Sequence, residues 1–171
     1  MIRNLSYIVF LFGMVISALS FDAYAESVLF HIKTALSTDD AQICVAPNMA
    51  LAALSAGDDV TMLFDASAVT SVTKGWGWFI FGETTPMDKA ALPERERTSI
   101  SEQFKVPLKE VPENYGMYLT FLKHRGVKLY INSTMLKLYK INVHDVDDAL
   151  QPVDLSTMYK LFANKDKIVV Y

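Results

Sequence analysis

The apolar positions form short clusters whose spacing switches between strand and helix periods along the chain. Ser27 to Thr34, "SVLFHIKT", is an apolar run bounded by polar residues, the pattern of a strand buried on both faces. Ser37, Thr38 and Asp39 then offer helix N-caps. Ile43, Ala46, Met49, Ala50, Ala53 and Leu54 follow as a stripe at helical spacing, stopped by Gly57. Pro47 interrupts that stripe, either as a kink or as the first turn of the helix's main body. "DDVTMLFDAS", Asp58 to Ser67, predicts a second strand ending at Asp65, and a short helix from Ala66 to Lys74 stops at Gly75. Further on, Tyr115, Tyr118, Leu119 and Leu122 mark a helix that ends at Gly126. Val127 to Ile131 predicts a strand and Ser133 to Tyr139 a helix. "INVHDVDDALQPVD" predicts an acidic loop, Asp154 caps a helix from Leu155 to Ala163, and Lys167 to Tyr171 is a final strand.

This alternation predicts an α/β fold, a single three-layer domain with a mostly parallel sheet between helices and right-handed crossovers. The domain is expected to run over residues 26–171, with an insertion loop at 76–109. The insertion breaks the alternation. Trp76, Trp78, Phe79 and Phe81 crowd its first part among glycines. Its second part is charged, with a short helix over Leu92 to Phe104 and an extended "VPLKEVP". Irregular segments of this length are usually functional. The four aromatics predict a subunit contact or a cover for the domain's own core, with a ligand lid as the other reading.

The first residues carry a different message. Arg3 precedes an apolar run from Leu5 to Leu19, and Ala23-Tyr24-Ala25 is a small-residue cleavage pattern. Together they predict a signal peptide over residues 1–25, cleaved after Ala25, and a periplasmic protein with no stable membrane insertion after cleavage. The run is shorter than the ~20 residues of a spanning helix. The formal net charge is −3, with both signs dispersed, so no basic stripe suggests nucleic acid.

Candidate chemistry is sparse. His31, His124 and His144 have no ligand-spaced partners, so no metal is expected. No G-x-S-x-G turn and no glycine-rich phosphate loop is present, and no cofactor is expected. Cys44 is the single cysteine, which rules out an intramolecular disulfide. It reads as a small buried residue, with an intermolecular disulfide or a persulfide carrier as alternatives. In a parallel sheet, His31, Asp65 and Asn132 reach the same C-terminal rim, where ligands of open α/β sheets bind. Asn132, Ser133 and Thr134 sit at a helix start, which favours an anion.

Four stretches, "VLFHIKTALSTDDAQ", "ALAALSAGDDVTMLFDASAVTSV", "LKHRGVKLYINSTMLKLYKI" and "KIVVY", together resemble the DsrE/DsrF-like family of small sulfur-relay proteins. The resemblance covers nearly all of the chain after the leader except residues 76–109. It implies a flavodoxin-like arrangement, homo-oligomers such as trimers or hexamers, and a small sulfur compound or a protein partner. Family members that carry sulfur hold a persulfide on a cysteine at the end of the strand that here reads "KLYIN". The aligned residue is Asn132, and an amide cannot form a persulfide. The resemblance thus implies a non-catalytic protein that binds an anionic or sulfur-containing ligand or a partner at His31, Asp65 and Asn132 to Thr134. The alternatives are a sulfur carrier or transferase using Cys44, and an assembly subunit joined through Trp76 to Phe81.

Overall fold

The computed structural model describes residues 25–75 and 83–171. The leader expected over residues 1–25 lies outside them apart from Ala25, as do Trp76, Trp78, Phe79 and Phe81.

Five strands form one sheet: β1 (Ser27–Ile32), β2 (Asp59–Phe64), β3 (Lys128–Asn132), β4 (Gln151–Val153) and β5 (Lys167–Val170). Their order is β4-β3-β2-β1-β5, and every pairing is parallel. From β1 to β4 the chain steps in one direction across the sheet, then returns to place β5 on the free side of β1. Every strand's C-terminal end therefore reaches the same rim.

Helix α1 (Asp40–Ser55) starts where the sequence predicts, with the Asp39 carboxylate accepting from the Gln42 N–H. It runs through Pro47 and stops before Gly57, whose φ of +98° suits only glycine. Its buried face is Ile43, Ala46, Pro47, Ala50 and Leu51. Met49, expected in the stripe, is 45% exposed, because an i, i+3, i+4, i+7, i+8 face counted from Ile43 leaves position 49 to the side.

The described part of the insertion is largely helical. Thr85 caps α2 (Pro86–Lys89) through a reciprocal capping box with Asp88. Helix α3 (Glu94–Phe104) follows Pro93. "VPLKEVP" is not fully extended as expected: Leu108–Glu110 forms a 3-10 turn. Pro107 sets its entry, and the Arg97 guanidinium donates to the Leu108 and Val111 carbonyls around it. Helix α4 (Tyr115–His124) buries Tyr115, Tyr118, Leu119 and Leu122, the stripe read from the sequence. A Cβ at Gly116 would fall on the Asp88 carboxylate, so glycine is what lets α2 and α4 meet.

After β3 come α5 (Ser133–Leu138), β4, α6 (Leu155–Ala163) and β5. Strand β4 corrects the expectation of a plain loop there. It is three residues long and contains Pro152, which reads against a strand and is tolerated because β4 is an edge.

The two faces of the sheet are unequal. Val28, Phe30, Ile32, Val60, Met62 and Phe64 join the main core, together with residues of α1, α3 and α4. The other face holds a small cluster of Leu29, Leu63 and Val153, closed by Met158 of α6, with Tyr130 and Phe162 alongside.

Candidate functional site

Three neighbouring strands deliver three polar residues to the rim, and their side chains meet. The His31 Nε2 and the Asp65 Oδ2 lie 2.9 Å apart, and the Asn132 amide donates to Asp65 Oδ1 at 2.7 Å. Asp65 also accepts from the Ala66 N–H at 2.7 Å, as the N-cap of a 3-10 turn over Ala66–Val72. Burial pushes the Asp65 carboxyl up, but the donors from His31, Asn132 and Ala66 more than offset it and hold it at about 2. The phenyl ring of Phe162 stands edge-on to the His31 imidazole at 4.9 Å, so α6 fixes that ring from above.

Asn132 is only 2% exposed. Its Oδ1 accepts from the Thr134 and Met135 N–H groups at 2.8 and 3.3 Å while its Nδ2 bonds Asp65. Two of the backbone donors an anion would use are therefore already occupied, and a permanent carboxylate lies beside them. Ser133 and Thr134 open α5, a helix of six residues. Ala66, with φ +46°, keeps a left-handed backbone at the foot of this knot, a conformation costing an alanine roughly 1 kcal/mol. The arrangement fixes the three strand ends to one another.

Cys44 is elsewhere. It packs partly buried against the main core from α1 and lines a cleft of about 700 Å³. The cleft lies between the start of α1, the 86–93 segment and Tyr115 of α4, with Leu36, Pro86 and Pro93 among its walls. Behind the thiol, the Tyr115 hydroxyl donates to the Glu96 carboxylate at 2.9 and 3.1 Å. The Asn48 amide donates to the same carboxylate at 2.6 Å, while its own Oδ1 is buried without a partner. Burial pushes the Cys44 thiol up. A hydrogen bond with Tyr115 pulls it back in part, and the Asp40 and Glu96 charges push it up again. Burial, Cys44 and Glu96 together raise the Tyr115 phenol as well. Thiol chemistry runs through the thiolate, so this setting makes Cys44 less reactive than a free cysteine.

The sequence expectation thus brings His31, Asp65 and Asn132 together and leaves Cys44 apart from them. Asp40, Asn48, Glu96 and Tyr115 were not singled out as site residues in the sequence. Tyr115 was visible only as part of a core stripe, and Glu96 only as one charge in "PERERTS". Among the described residues no group of three or more His, Cys, Asp and Glu side chains could hold a metal, and no helix is long and apolar enough to cross a membrane.

No protein-family model matches the chain, and no curated protein matches it by sequence. The crystal structure of the ychN protein from E. coli matches it with a TM-score of 0.54 at 13% identity, over 86% of this chain and 99% of that one. The likeness is one of fold: a DsrE-like α/β arrangement with a five-stranded parallel sheet flanked by helices.

Proposed function

We propose that the chain is a non-catalytic binding protein on a DsrE/DsrF-like fold, and that it takes a small ligand in the cleft beside Cys44. The carrying observation is the contrast at the two places where relay chemistry could sit. At the end of β3 stands Asn132, with its amide committed to Asp65 and to the cap of α5. In the cleft stands a thiol whose surroundings raise its pKa. Neither favours a persulfide. An open cleft with a few polar groups on an apolar wall is the ordinary form of a small-molecule site.

Native-state alkylation of Cys44 with iodoacetamide, followed by mass against pH, tests this. The expected result is slow labelling at neutral pH that accelerates only in alkali, with no mass gain of one sulfur after exposure to inorganic polysulfide. Fast labelling at neutral pH together with a stable added sulfur would overturn the binding reading. It would install the sulfur carrier in its place.

A further inference from the structure

The charge around the cleft carries the binding reading further, to the class of ligand. Among the described residues the cleft wall carries one carboxylate, Asp40, and no lysine, arginine or histidine. Asp40 makes no side-chain hydrogen bond or ion pair among the described residues, and it lies in the first turn of α1. Behind Tyr115, Glu96 is held by two neutral donors, the Tyr115 hydroxyl and the Asn48 amide. Asp40 therefore borders the cleft, exposed and with no cationic partner within ion-pair distance among the described residues, while Glu96 lies behind Tyr115 and outside the cleft wall. Asp39, next in the chain, spends its carboxylate on the Gln42 backbone and side-chain N–H groups and adds a further negative charge at the same end. The start of α1 offsets this with a partial positive charge equivalent to about half a unit.

A ligand anion would have to lose water against these charges and gain no partner. A cation would supply the counter-charge that Asp40 lacks. The rest of the wall is apolar, with Leu36, Pro86 and Pro93 around the Tyr115 ring. We infer that the cleft takes a small organic cation, an ammonium group on an apolar body, with the charge against Asp40 and the body against Leu36, Pro86 and Pro93. This inference rests on the cleft being the binding site, and its test separates the two claims.

The test uses three probes of matched shape and different charge: phenethylammonium, phenethyl alcohol and hydrocinnamate. Each is titrated into the whole protein at low ionic strength while backbone amide resonances are followed. The expected result is a set of shifts confined to the start of α1, the 86–93 segment and Tyr115. The ammonium should bind about fivefold tighter than the alcohol, the upper end for an exposed ion pair, and the carboxylate weakest. In Asp40→Asn, whose otherwise unchanged spectrum reports an intact fold, the ammonium and alcohol should come within about twofold of each other. Equal binding of all three, or tightest binding of hydrocinnamate, overturns the cation assignment and leaves the cleft as a binding site. Absence of shifts at those amides with all three probes overturns both.

Discussion

At the rim a carboxylate is met by three donors, from His31, Asn132 and the Ala66 backbone, and it stays charged. In the cleft a half-buried thiol has one helping hydroxyl, Tyr115, and two nearby carboxylates, Asp40 and Glu96, and its pKa is raised. Both groups are partly buried, and burial pushes both acids up. The difference lies in what surrounds them. Donors around an acid outweigh its desolvation, whereas carboxylates around an acid add to it. The rim is therefore a closed knot that holds strand ends, and the cleft is an open concavity with unbalanced charge.

The largest expected effect breaks the rim. Asn132→Ala removes the cap of α5 and leaves Asp65 short of a donor. It should cost about 3 kcal/mol in a urea unfolding experiment, from a lost cap and a lost bond to a charged group. A loss below ~1 kcal/mol would mean that the knot is not what joins the strand ends.

Acid should expose the same knot more gently. The folded pKa of Asp65 is depressed, from 3.8 to about 2, so its contribution is complete above the unfolded value and disappears as pH falls from about 4 through about 2. That contribution is about 2 kcal/mol. Unfolding free energies measured across this range should fall for the parent protein and fall less for Asp65→Asn. Cys44 has the opposite sign: its raised pKa contributes stability below the ordinary thiol value of 9.0 that is lost as pH rises through the folded one.

The smallest effect belongs to the cleft. Tyr115→Phe strips Glu96 of the hydroxyl and should cost about 1 kcal/mol. It also removes the one hydrogen bond that lowers the thiol pKa, so labelling of Cys44 at a fixed mildly alkaline pH should slow. Faster labelling would mean that the hydroxyl shields the sulfur more than it tunes it, and the comparison with the rim would lose its second half.

Much of the fold was legible because each element carries its own punctuation. Asp39 and Asp154 cap the helices that follow them, and Gly57 and Gly126 close two helices with positive φ. Strand β4 was hidden, since three residues with a proline carry no usable period. The rim was legible in part. Three strand ends in a parallel sheet must share an edge, so His31, Asp65 and Asn132 could be grouped, but not their bonds to one another, which turn a prospective anion site into a scaffold. The cleft was not legible at all. Asp40 stands one turn before Cys44 on α1, but Glu96 and Tyr115 come from two other helices, and only the packing of α3 and α4 on α1 brings them to Cys44.

The place of β5 has a consequence for how the molecule forms. Strand β1 lies between β2 and β5, and its pairing with β5 joins Val28 to Lys167 in register. None of the strand pairs is a hairpin, and this one closes the longest loop in the sheet. Contacts so distant in sequence are slow to form, because loop-closure entropy must be met before they reward it. During synthesis β1 is made early yet stays an open edge until residues 167–170 follow, with Leu29 and His31 bare on one side. The protein therefore completes its sheet late and at one edge, and a chain stopped before β5 leaves its oldest strand as an open edge.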